Sequence, residues 1–91
     1  MKTMTTLHAM ATDLATAVSS QFDEANKDLV VEFLDVGEEG LAVLYSLRAA
    51  IDSASDIPEL LWENLVSYFA DAPTELSKNI RQLLGEVRHA A

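Results

Sequence analysis

Apolar residues recur every three or four positions along most of the chain, and four short polar or glycine-containing stretches interrupt them. Leu7, Met10, Ala11, Leu14, Ala15, Val18 and Phe22 define a first helical face over about Thr5 to Phe22, with threonines before Leu7 available as N-caps. Asp23-Glu24-Ala25-Asn26 breaks it. A second helix is expected over about Lys27 to Val36, capped by Asn26 or a neighbour, with Leu29, Val30, Phe33, Leu34 and Val36 inward. Gly37 and Gly40 bracket a corner. The third helix, about Glu39 to Ala54, is apolar around most of its circumference, as expected of the central helix of a bundle.

Ser53-Ala54-Ser55-Asp56 links to a fourth helix over about Ile57 to Ala70, where Pro58 suits a first turn because no partner for its N–H is needed. Ile57, Leu61, Leu65, Tyr68 and Phe69 would face its core, with Trp62 on the border. A fifth helix begins near Pro73 or Thr74 and buries Leu76, Ile80, Leu83, Leu84 and Val87; Gly85 starts a fraying tail, Glu86 to Ala91. No alternation is long enough to predict a strand. The expected fold is all-α, one compact domain over residues 1–91, built from four to five short antiparallel helices.

Charge changes the picture more than composition does. The formal net charge is −9, and residues 28–71 contain ten acids against the single base Arg48, so the middle of the chain carries the whole excess. Asp28, Glu32, Asp35 and, if helicity persists through the corner, Glu39 recur at helical spacing as one acidic stripe. Like charges so spaced cost a helix roughly 0.2–0.5 kcal/mol per pair. Asp56, Glu59 and Glu63 form a second stripe beside Trp62. Tyr45, Arg48 and Asp52 share one edge of the third helix; Arg48 with Asp52 reads as an i,i+4 ion pair, while tyrosine and arginine are also frequent interface anchors. Such a field disfavours nucleic acid and anionic lipid and favours basic partners.

The chemistry of catalysis is not announced. There is no cysteine, and His8 and His89 lie near the ends of the chain without metal-binding or nucleophile–base spacing. His8 reads as a surface residue. The glycines of the corner lack the lysine of a phosphate loop, and two glutamates would repel a phosphate. No enzyme activity, cofactor or metal is expected. The first residues carry one cation and no unbroken apolar segment before Asp13, and no run reaches the roughly 18 apolar residues of a membrane span, so a cytoplasmic protein without membrane attachment is expected.

Val36-Gly37-Glu38-Glu39-Gly40-Leu41-Ala42 resembles the MafI family of small immunity proteins, in which an apolar helix runs into a Gly-Glu-aromatic-Gly-aliphatic-Ala segment. Gly37, Glu38, Gly40, Leu41 and Ala42 match; Glu39 stands at the aromatic position, and Leu44 stands where the family has an acid. The resemblance implies a small helical cytoplasmic protein that binds and neutralises the C-terminal toxin domain of a polymorphic secreted toxin, often a nuclease.

Combined with the charge, this makes the expected function an immunity protein that holds a basic toxin domain on an acidic helical surface. Its contact residues would come from Glu32, Asp35, Glu38, Glu39, Tyr45, Arg48, Asp52, Asp56, Glu59, Trp62 and Glu63. The alternative is an acidic adaptor or self-associating regulatory module, including a homodimer, with no toxin partner.

Overall fold

The computed structural model describes residues 6–90, which form a small all-α bundle of five helices closed by one pair of very short strands. The expected start of the first helix at Thr5 lies outside the described residues.

Helix α1 (Leu7–Ala17) is capped by Thr6, whose hydroxyl accepts the Ala9 N–H at 3.1 Å. It stops short of the expected Phe22: Ser19–Gln21 form a single 3-10 turn. Serines compete with helix by local hydrogen bonding, and Val18 is held in the core just before them. Helix α2 (Glu24–Asp35) starts earlier than expected, because Asp23 rather than Asn26 is its cap; the carboxylate accepts the Asn26 N–H at 2.8 Å.

The corner after α2 is closed by Gly37 at φ +81°, with Glu38 N–H donating to Phe33 C=O at 2.8 Å and Gly37 N–H to Leu34 C=O at 3.4 Å. These are the paired bonds of a left-handed helix cap. Helix α3 (Glu39–Asp52) ends in the same geometry, Ser55 N–H to Ala50 C=O at 2.9 Å and Ala54 N–H to Ile51 C=O at 3.1 Å, but here the residue at positive φ, +54°, is Ala54.

Strand β1 (Asp56–Pro58) leads directly into helix α4 (Glu59–Phe69), so Pro58 is the residue before the helix and not within its first turn. Helix α5 (Glu75–Leu84) is capped by Thr74, whose hydroxyl accepts the Ser77 N–H at 3.1 Å. The tail does not fray. Val87 is buried, and strand β2 (Arg88–Ala90) pairs parallel to β1 with Asp56 opposite Arg88 and Ile57 opposite His89. Three-residue strands are too short for alternation to reveal them.

Helix α3 packs against α1, α2 and α5, and Val43, Leu47 and Ala50 from it meet Leu14, Leu65 and Ile80 in the core. Gly40 permits the approach of α5: a Cβ there would lie 2.8 Å from Leu76 Cδ2. Helix α4 packs on α1, α5 and the strands, and its C-terminus is closed by Arg81, whose guanidinium donates to the carbonyls of Phe69 and Ala72, both at 2.7 Å. Ser46 Oγ is fully buried with no hydrogen-bond partner among the described residues. Among the described residues no helix is long and apolar enough to cross a membrane.

Candidate functional site

The outer side of α2 carries Glu24, Asp28, Glu32 and Asp35, all exposed, and none makes an ion pair among the described residues. Two apolar side chains lie among them. Val31 is 51% and Val36 65% exposed, so Val36 points away from the core instead of into it as its place in the pattern suggested. Glu24, Asp28, Val31 and Asp35 follow one another at steps of four, three and four, which aligns them along the helix. Val31 also edges an apolar groove of about 180 Å³ between α1 and α2, where Ala15, Phe22, Val30 and Leu34 line the wall.

Of the residues at the corner, Glu38 is exposed and precedes α3 without any side-chain capping bond. Glu39 leaves the stripe. The left-handed turn at Gly37 reorients the chain, and Glu39 Oε2 meets His8 Nδ1 of α1 at 3.0 Å. That hydrogen bond, with backbone support and the imidazole's charge, holds the Glu39 carboxyl below its ordinary value against a smaller opposing desolvation. The corner glycines thus have separate structural duties, and its two glutamates part company.

Tyr45, Arg48 and Asp52 do come together. They line a cleft of about 450 Å³ on α3, part apolar and part polar, completed by Asp23 and Asn26 at the start of α2. Tyr45 leans on Phe33 with ring centroids 5.3 Å apart, while Arg48 and Asp52 are exposed. The expected ion pair between them is not formed; both charged ends are open to the cleft. Asp23 and Asn26 were missed by the pattern because the cleft depends on how the connection after α1 folds back over α3.

The second acidic stripe is engaged within the molecule. Asp56 Oδ1 receives Arg88 Nε at 3.0 Å, and Glu59 Oε1 lies 2.6 Å from His89 Nδ1. The His89 ring stacks on Trp62 at 3.8 Å and 13°, and Trp62 Nε1–H donates to the Leu84 carbonyl at 2.8 Å, capping the end of α5. Trp62 is half-buried at the border expected of it, but its ring and its N–H both serve the strand pair and α5. Glu63 alone of this stripe is exposed and outside any ion pair among the described residues. Helices α2 and α4 flank α1 on different sides, Thr12, Ala15 and Thr16 lining the groove toward α2 and Met10 and Asp13 those toward α4, so the two stripes do not merge into one face.

The candidate site is therefore the α2 outer face together with the neighbouring cleft: Asp28, Glu32, Asp35 and Glu38 around Val31 and Val36, then Tyr45, Arg48 and Asp52. This can bind cations through carboxylates and anchor apolar groups between them; among the described residues no group of three acids or histidines is arranged to hold a metal ion. In comparisons with family models, curated proteins and solved structures, no match to this chain is found.

Proposed function

We propose that this chain is an immunity protein that binds and neutralises a cognate toxin domain with a basic surface, through the outer face of α2 and the adjoining cleft. The observation that carries the reading is the composition of that face. Among the described residues its acids have no ion-pair partner and lie between two valines more than half exposed, so carboxylates and apolar side chains are presented together on a helix for which the like charges are costly. The resemblance of Val36 to Ala42 to the MafI segment points to the same class, a cytoplasmic inhibitor of a polymorphic toxin.

Carboxylates of α2 would pair with toxin lysines and arginines or occupy the place of substrate phosphates, while Val31 and Tyr45 would set the lifetime of the complex. Arg48, open in the cleft, would select a carboxylate on the same partner. The test begins with the neighbouring open reading frame, which should encode a secreted protein with a small basic C-terminal domain, and proceeds to co-expression with that domain. Wild type should restore growth, and the Asp28→Lys/Asp35→Lys variant should lose rescue while retaining its helical circular dichroism. Its association rate should fall about tenfold or more and lose most of its salt dependence. Rescue and binding that are indifferent to this double change would exclude the α2 face.

A further inference from the structure

We infer that the seam between α4 and α5 is a binding site for a small aromatic carboxylate. Trp62, Val66 and Ala70 of the α4 side and Arg81, Leu84 and Gly85 of the α5 side bound a depression of about 270 Å³, and Arg81 is the one ionisable group lining it. A closed apolar cavity of about 150 Å³ accommodates benzene, so the volume here suits a fused pair of rings.

The walls are held in place by the fold. The Trp62 ring stacks on His89 at 3.8 Å, and its N–H donates to the Leu84 carbonyl at 2.8 Å. Arg81 is fixed through Nη1 alone, which donates to the carbonyls of Phe69 and Ala72. Its Nε and Nη2 have no hydrogen-bond partner among the described residues, and side-by-side N–H groups of this kind match the two oxygens of a carboxylate. Arg81 is half-buried and, in a chain with fifteen acids, makes no ion pair among the described residues. Gly85 keeps the wall open. Its backbone is ordinary helix, φ −75° and ψ −15°, and a Cβ would meet the Gln82 carbonyl at 3.4 Å, so neither conformation nor packing calls for glycine there.

Charge and volume together select the ligand. Around the rim, Glu63 follows Trp62, Asp71 follows Ala70, Glu86 follows Gly85, and Lys78 precedes Arg81 by one turn; all four are exposed. Exposed charges are screened over a Debye length of about 8 Å at physiological salt, whereas a half-buried guanidinium in direct contact is screened much less. Arg81 therefore decides the sign. The hydrogen bonds of Trp62 to Leu84 and of Arg81 to Phe69 and Ala72 place these two side chains at opposite ends of the depression. Glu63 is at the Trp62 end, about 10 Å along the helix from Ala70, so the rings lie toward Trp62 and the carboxylate toward Arg81. No residue of α2 lines this site, and it does not depend on the toxin reading. A ligand of about 13 non-hydrogen atoms is expected to bind with a dissociation constant of about 0.1–1 mM.

Amide NMR titration of the full chain with naphthoate tests this without any protein partner. The Trp62 indole N–H and the amides of Val66 and Gly85 should shift saturably. Naphthalenemethanol and naphthylmethylamine, which carry a neutral and a cationic group on the same rings, should bind about tenfold or more weakly. Gly85→Leu should fill the depression and lose the naphthoate shifts with an unchanged melting curve. In Arg81→Met the carboxylate should lose its advantage over the alcohol, a ratio read within one variant and so independent of how well α4 remains closed. No saturable shift at millimolar naphthoate, shifts confined to other elements, no advantage of the carboxylate over the alcohol in wild type, or a Gly85→Leu variant that binds as wild type does would each overturn the site.

Discussion

Ala54 carries a backbone conformation that its side chain disfavours. At φ +54° it closes α3 as Gly37, at +81°, closes α2. A left-handed alanine costs roughly 1–2 kcal/mol through its Cβ, whereas glycine returns roughly 0.4–1 kcal/mol of freedom to the unfolded chain. The first effect is larger. Ala54→Gly should therefore stabilise the protein by about 0.5–1 kcal/mol in chemical denaturation; a loss of stability would mean that the cap is not closed in this way. The sequence showed Gly37 at once, because glycine advertises its function, but nothing in Ser53-Ala54-Ser55 advertised a second cap of the same kind.

At the scale of elements, the connection between α1 and α3 combines packing with one exposed polar bridge, His8 to Glu39. The Glu39 carboxyl is lowered first by that hydrogen bond. A carboxyl depressed in the folded state contributes stability above its unfolded value, about 4.3, and the contribution disappears as pH falls through the lower folded value. His8→Ala should move the Glu39 titration, followed by carboxyl NMR, up toward the ordinary range and remove this acid-limb contribution. A Glu39 titration unmoved in His8→Ala would assign the shift to the backbone instead. Five helices were legible from periodicity, since each buries one face over several turns. The β1–β2 pair was not, because Asp56–Pro58 and Arg88–Ala90 are joined by long-range hydrogen bonds and by side chains thirty or more positions apart.

Over the whole molecule, the acids are concentrated enough to oppose folding. On α2 alone Glu24, Asp28, Glu32 and Asp35 make three like-charge neighbours at helical spacing, together about 1 kcal/mol at low ionic strength. Raising salt from a few millimolar to physiological strength, where the Debye length of about 8 Å is comparable to the spacing of these charges, should screen about half of this and lift the melting temperature by about 2–4 °C for a chain of this size. A flat or falling melting temperature would show that the acidic face is not under strain, weakening the case that it awaits a cationic partner. The same salt step should slow association with a basic toxin domain.

The sequence by itself determined the all-α class, a count of four to five helices, the central place of α3, the Gly37 corner and the segregation of negative charge. All of these follow from local periodicity, glycine chemistry and a count of charges. Tertiary structure alone decided how the charged residues divide. Helical spacing places side chains on one helix, but it does not say which helix comes to lie beside it. So Glu39 left the stripe for His8; Asp56, Glu59 and Trp62 were drawn into holding the C-terminal strand; and Tyr45, Arg48 and Asp52 gained Asp23 and Asn26 across a cleft. The acids left on the surface of α2, with Val31 and Val36 among them, are those that no other part of the described chain reaches, because that side of the helix faces solvent.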